Sequence, residues 1–229
     1  MQRFIKQILL DEIGFLGQKK LQNAKILLIG LGGLGCPTAL YLGGAGIGTV
    51  GIAEFDVVDM SNLHRQILYT EEDLGKNKID VGIQKLSAQF PATIWNKHAL
   101  KVSNENIDDL VRNYDLIIDG SDNFTTRFIV NDACVRQNIP LLFGSILGFE
   151  AQFCLFDNPA KSNYRTLYPE APEHVPSCSE NGVLSPCTGI IGSILANIAC
   201  LYHMNLYTEQ NTLKCIHLLN LKMQSVRIT

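Results

Sequence analysis

Apolar positions along this chain fall into two alternating periods. Short runs that read as strands lie at residues 25–29, 49–54, 93–98, 116–119 and 141–144, and most end in turn or polar residues. Between them apolar positions recur every three to four residues, the period of one helix face. In residues 78–90, Ile79, Ile83, Leu86 and Phe90 share such a face and Pro91 stops the helix. Further helices are predicted at 37–45, 104–112 and 125–137, with Pro37 suited to a first turn. Gly43 and Gly44 weaken the first of these by about 1 kcal/mol each. Close packing against the strand that precedes the Gly-rich turn is a reason to tolerate them.

The resulting β-α-β-α-β-α-β-α-β order predicts an α/β fold, Rossmann-like and doubly wound, around a mainly parallel sheet. The pattern changes after residue 144. Residues 150–156 alternate like an antiparallel strand, and 157–186 form a long, Pro-rich, irregular stretch of the kind that is usually functional. Ile190, Ile191, Ile194, Leu195, Ile198 and Leu201 mark an apolar helix, and 214–229 read as two terminal strands. The C-terminal strands are therefore expected to be antiparallel. Ahead of the first strand, 17–23 is a short polar helix, preceded by an arm carrying Arg3 and Lys6, and such arms often pack on a partner subunit. With 229 residues and no stretch that reads as a linker, one domain covering 1–229 is expected.

The first strand carries the candidate chemistry. It runs into Gly30-Leu-Gly-Gly-Leu-Gly35, with Gly30, Gly32 and Gly35 at the G-x-G-x-x-G spacing just before a helix. Such a turn needs positive φ, and a phosphate reaches backbone N–H groups only where no Cβ intervenes. Glu54 ends the next strand about 20 residues on, where an acidic residue accepts hydrogen bonds from ribose hydroxyls. Its charge would repel a 2′-phosphate and so disfavours NADP. Polar residues also follow the other strand ends, in Asp56, Asp59, Asn62, Arg65 and Gln66 and again in Asp119, Asp122 and Asn123. Lys78 opens its helix away from the apolar stripe, where the helix dipole disfavours a cation unless an anion lies nearby.

Composition removes several alternatives. The net charge of −3 with scattered basic residues gives no electrostatic footprint for nucleic acid. No signal-peptide core opens the sequence and no apolar run approaches a membrane span, which points to the cytoplasm and away from a membrane partner. Seven cysteines are then read as reduced thiols. None are spaced as C-x-x-C, so a structural zinc site is not expected.

At this point the chain resembles the MoeB/ThiF family, the adenylating enzymes related to ubiquitin-activating enzymes, over almost its whole length. The resemblance rests on Arg3-Phe-x-Lys6-Gln7-Ile8, on Gly30 to Gly35 with Gly32 and Gly33 between them, and on Phe55-Asp56 with Ser61-Asn62-Leu63-x-Arg65-Gln66. It continues in Lys78, in Asp119-x-x-Asp122-Asn123, and in Cys178 with Gly182-Val183 before Gly189. It implies binding of ATP and magnesium, adenylation of the C-terminal glycine of a small ubiquitin-like sulfur-carrier protein ending in Gly-Gly, and a homodimer. By the same resemblance Arg65 and Lys78 bind phosphates, Asp122 holds magnesium, and Glu54 and Asn62 place ribose and triphosphate. Lys6 then reaches the triphosphate of the neighbouring subunit, and Cys178 matches a cysteine that some members join to the carrier through sulfur.

Three departures stand out. Glu54 occupies a position where the family commonly has aspartate, and Lys6 one where it has arginine, which forfeits the bidentate fork. Many members carry two C-x-x-C pairs for zinc; this chain has Asn163-Tyr-Arg-Thr166 in place of the first and ends where the second would begin. Two other readings stay open on sequence: an NAD-dependent oxidoreductase, for which the Gly-rich turn and Glu54 alone would suffice, and a non-catalytic half of a heterodimeric activating enzyme.

Overall fold

Strand β1 (Lys25–Ile29) is buried at every position after Lys25 and sits in the middle of the protein. The computed structural model describes residues 2–171 and 182–228. Around β1 lie β2 (Thr49–Ala53), β3 (Ile94–His98), β4 (Leu116–Asp119), β5 (Leu141–Leu147), β6 (Glu150–Phe156), β7 (Thr212–His217) and β8 (Lys222–Arg227). They form one sheet in the order β3-β2-β1-β4-β5-β6-β7-β8. The pairs from β3 to β5 are parallel and those from β5 to β8 antiparallel, as the change of period predicts. Register puts Ile29 opposite Ala53 on one side and Asp119 on the other, so three strands end at one level. The chain leaves β1 toward β2 on one side and lies beside β4 on the other. That reversal opens the crevice where ligands bind in such sheets.

Eight α-helices flank the sheet among the described residues: α1 (Ile5–Ile8), α2 (Gly14–Asn23), α3 (Gly35–Ala45), α4 (Lys78–Gln89), α5 (Ile107–Val111), α6 (Phe124–Gln137), α7 (Tyr164–Leu167) and α8 (Ser185–Met204). Side chains of β1 alternate between two cores, as a period of two requires. Ile26 and Leu28 join Leu42, Ile79, Leu86, Ile191 and Leu195 on one face. Leu27 and Ile29 join Ile117, Val130, Phe143 and Tyr164 on the other.

In the N-terminal arm Phe4 is buried against Gly46, where a Cβ would lie 2.5 Å from its ring. Gln7 Nε2 also donates to Gln18 Oε1 at 2.7 Å and to the Ala45 carbonyl at 3.1 Å. Gly43 packs against Phe90 and Trp95, not against β1, since a Cβ there would come within 2.6 Å of the Phe90 ring. The helix expected at 104–112 is only one turn, because Asn106 bonds back to the Ser103 N–H and holds the preceding residues in a loop. Within the stretch read as irregular lies α7, and α8 begins at Ser185 with Pro186 in its first turn. Contrary to the hydropathy reading, the 20-residue α8 is by length and composition apolar enough to cross a membrane. It packs on α3 and β5, with Ile191 and Leu195 fully buried.

Candidate active site

A cleft opens above the ends of β1, β2 and β4, lined among others by Gly30, Gly32, Gly33, Glu54, Arg65, Lys78 and Asp122. Gly30 adopts φ 87°, the left-handed turn that ends the strand, and its N–H donates to the Ala53 carbonyl at 2.9 Å. Helix α3 starts at Gly35, whose missing Cβ leaves room for the Gly30 carbonyl. Gly35 thus closes the turn from below, whereas Gly32 and Gly33 face the cleft. The positive end of α3 is aimed at whatever anion enters.

Glu54 is buried, and its carboxylate is already engaged. Oε2 accepts the Leu31 N–H at 2.8 Å, while Oε1 accepts those of Phe55 at 2.7 Å and Asp56 at 2.8 Å. A carboxylate offers about four lone-pair sites, so one on Oε2 is left for a ribose hydroxyl. Glu54 therefore ties the Gly-rich turn to the end of β2 as well as facing the cleft.

The segment after β2 forms a short 3-10 turn at Met60–Asn62, capped by Asp59, whose Oδ1 accepts the Ser61 N–H at 2.9 Å. This aims Arg65 inward. Its guanidinium donates to Asn62 Oδ1 at 2.7 Å and to the Ser61 carbonyl at 3.2 Å, so Asn62 holds Arg65 while Arg65 lines the cleft. Gln66 is 5% exposed and lines the cleft, its Oε1 without a partner among the described residues. Lys78, placed by sequence away from the core, is instead 3% exposed. Its Nζ meets Asp56 Oδ2 at 3.1 Å and its N–H meets the Asp56 carbonyl at 2.9 Å. Asp56 is the anion that offsets the helix dipole.

On the other side, β4 ends in Asp119, whose Oδ1 accepts the Ser121 N–H at 2.9 Å and whose Oδ2 is buried without a partner among the described residues. Burial raises its pKa and nearby Arg127 opposes the rise. Asn123, not Asp122, caps α6, with Oδ1 on the Thr126 N–H at 2.9 Å. Asp122 is left exposed in the cleft, with one hydrogen bond among the described residues, from Asn123 Nδ2 at 3.3 Å. A hard-oxygen donor with open lone pairs fits a magnesium ion that arrives with phosphates and retains waters, since such ions need only one or two protein carboxylates. Among the described residues no group of three His, Cys, Asp or Glu is placed to hold a metal unaided.

Sequence reasoning missed Arg127, Ser121, Thr188 and Lys101, all of which line the cleft. Lys101 Nζ lies 5.5 Å from the centre of the Phe55 ring. Arg127 sits four residues after Asn123, one helical turn on, and that spacing was the available signal. Lys6 is exposed on α1 and is not among the residues lining this cleft. Cys178 lies outside the described residues. At Asn163-Tyr-Arg-Thr166 the side chains of Asn163 and Thr166 bond each other's backbone as a capping box around α7.

The chain matches the ThiF family model over residues 4–229. It belongs to the ThiF family. This ThiF-family chain is 44% identical over 203 residues to the "Probable adenylyltransferase/sulfurtransferase MoeZ" of Mycobacterium tuberculosis, covering 86% of this chain and 52% of that protein. It is 41% identical over 203 residues to the "Sulfur carrier protein adenylyltransferase" of Thermus thermophilus, covering 86% and 75%. To the "Adenylyltransferase and sulfurtransferase MOCS3" of Culex quinquefasciatus it is 41% identical over 199 residues, covering 85% and 45%. The chain thus spans about half the length of the MoeZ and MOCS3 relatives. Among solved structures, Escherichia coli MccB with ATP superposes with a TM-score of 0.82 at 23% identity, covering 93% of this chain and 66% of that one. PaaA gives 0.82 at 21%, covering 99% and 73%. Both likenesses are ones of fold.

Proposed function

We propose that this protein adenylates the C-terminal glycine of a small ubiquitin-like sulfur-carrier protein with ATP, activating it for sulfur transfer in the synthesis of a cofactor such as thiamine or the molybdenum cofactor. The observation that carries the reading is the convergence in one cleft of a glycine turn at a helix start, a buried carboxylate, the cations Arg65 and Lys78 and an open aspartate. An NAD site needs the first two and has no use for the rest. The names of relatives above 40% identity point the same way.

In the reaction a carboxylate oxygen attacks the α-phosphorus of ATP, the bond to the bridging oxygen breaks, and pyrophosphate leaves. Pressing two anions together costs about 4 kcal/mol per charge pair near 4 Å at an effective dielectric of 20. Lys78 and Arg65 offset it. Lys78 is held by Asp56 until phosphate oxygens replace that partner, and Arg65 is fixed by Asn62, so neither has far to move. Glu54 takes the ribose with its remaining lone pair, and the N–H groups around Gly32 and Gly33 receive phosphate oxygens. Magnesium, when bound with the triphosphate, supplies further positive charge, and Asp122 is the residue that would hold it. The assembly is read as a cytoplasmic homodimer in which Lys6 serves the partner's cleft. Cys178 is the candidate thiol to displace AMP from the acyl adenylate and form a thioester.

Carrier-dependent exchange of pyrophosphate into ATP tests the reading, with small proteins ending in Gly-Gly as candidates. Exchange that ignores every such carrier, or reduction of a nicotinamide, would overturn it. Retained exchange but a lost carrier adduct in Cys178→Ser would place the thiol after adenylation.

A further inference from the structure

The turn that presents Asp122 is gripped from two sides. Asp119 Oδ1 accepts the Ser121 N–H at 2.9 Å, and Arg127 Nη2 donates to the Ser121 carbonyl at 2.9 Å. The carbonyl belongs to the peptide that leads directly into Asp122. Both gripping side chains are buried, Asp119 at 1% and Arg127 at 9% exposure. Arg127 projects from the first turn of α6 with its guanidinium 5.5 Å from the centre of the Phe124 ring. Asn123 caps the same helix through Oδ1, and the Ser121 N–H and carbonyl are both held, while the buried Ser121 hydroxyl has no partner among the described residues. Asp122 keeps its carboxylate open to the cleft apart from one bond from Asn123 Nδ2. Burying a guanidinium is expensive unless its partners repay it, and a residue that merely filled this space had no need of charge.

We propose that Arg127 is a positioning residue for nucleotide binding: by holding the Ser121 carbonyl, with Asp119 holding the amide, it fixes how Asp122 enters the cleft and so the gain in ATP affinity that magnesium confers. The inference rests on Asp122 meeting the metal-triphosphate complex, part of the reading above. It does not depend on which carboxylate is adenylated.

The test is calorimetric titration of ATP into the intact protein with magnesium and again with EDTA, the ratio of the two dissociation constants being the readout. Carrier adenylation does not enter it. Wild type is expected to bind more tightly with magnesium, and Arg127→Met to lose about tenfold of that gain; because Arg127 also lines the cleft, its affinity in EDTA falls as well, and the ratio isolates the metal-linked part. Arg127→Lys, which still reaches a carbonyl with a cation, should recover part of the gain. If Arg127 acts through Asp122, adding Arg127→Met to Asp122→Ala should take nothing further from the magnesium gain, because residues in one chain of action are not additive.

Mere neutralisation of Asp119 predicts otherwise. In that case Arg127→Met with Asp119→Asn would restore the magnesium gain, because the amide oxygen still accepts from Ser121 and no buried charge is left. Positioning predicts that this double variant stays impaired, as the Ser121 carbonyl still lacks its donor. Should Arg127→Met not fold, Arg127→Gln fills the space with a chain too short to reach that carbonyl and carries the same expectation. A wild-type magnesium gain that survives in these variants, or a wild type with no magnesium gain, overturns the proposal. Absence of carrier-dependent exchange with the titration pattern intact would instead overturn the choice of substrate.

Discussion

Lys78 Nζ lies 3.1 Å from Asp56 Oδ2 in an unequal pair: the lysine side chain is 4% exposed and the aspartate 52%. A buried cation held by a half-exposed anion is poised to exchange that anion for another. Lys78→Met should therefore lower carrier-dependent exchange by about 10²–10³-fold, the usual scale for losing one preorganised donor. The melting temperature should move by only a few degrees, because Asp56 can hydrate once released. Asp56→Asn should leave ATP binding equal or tighter. An Asp56→Asn variant that cannot bind ATP would show the pair to be part of the bound state.

The glycines of the turn separate ligand space from chain space. A Cβ on Gly32 would meet Gln66 Nε2 at 3.5 Å, ordinary van der Waals contact. On Gly35 it would strike the Gly30 carbonyl. Gly32→Ala should thus fold normally and weaken ATP binding by tenfold or more, whereas Gly35→Ala should unfold at markedly lower denaturant. Equal ATP affinities for Gly32→Ala and wild type would remove the phosphates from this turn.

Asp73 pins the loop between Arg65 and Lys78. Its Oδ2 receives Lys85 Nζ at 2.5 Å, the Thr70 N–H at 2.9 Å and the Thr70 hydroxyl at 3.0 Å. The Lys85 bond leads the causes that lower its pKa from 3.8 to about 2. A carboxyl group depressed in the folded state contributes stability that is complete above its ordinary pKa and is lost as pH falls through the folded value. Lys85→Ala should therefore be less stable than wild type near neutrality, with the difference shrinking between pH 3.8 and about 2. Urea unfolding at several pH values measures it, and a gap that widens on acidification would contradict the assignment.

Helix α7 is held where the family's first zinc pair would lie. Asn131 is fully buried and accepts the Tyr164 N–H at 2.7 Å, and Asp132 takes both Arg165 Nε and Nη2 at 2.7 Å. Asn131→Ala leaves a buried N–H unpaired and should cost about 1–3 kcal/mol of stability. EDTA should leave the melting temperature of wild type unchanged, and metal analysis should find far less than one zinc per chain.

Much of the fold was legible because local period and strand length report directly on which faces are buried. Residues 25–29, 116–119 and 150–156 alternate or run apolar for that reason, and the strands fall there. Gly30, Glu54, Arg65, Lys78 and Asp122 were legible as site candidates because each follows a strand end or opens a helix, and parallel strands deliver those positions to one edge. The sequence alone also determined the switch from parallel to antiparallel strands, through the change of period after residue 144.

Only the tertiary structure decided what each polar group does. Glu54 bonds to Leu31 from 23 residues away, and Lys78 to Asp56 from 22, so their partners depend on the parallel register of β1 and β2 and on where the following loop returns. Asn123 rather than Asp122 caps α6, through its bond to the Thr126 N–H, and that left Asp122 for the cleft. Arg127 had no sequence signal as strong, because a charged residue on a helix reads as surface unless its turn is known to face the end of a buried strand. Gly43 likewise reports on Phe90 and Trp95, 47 and 52 positions on, rather than on its neighbours. Local period governs which residues are buried, whereas the partner of a buried polar group depends on contacts between segments remote in sequence.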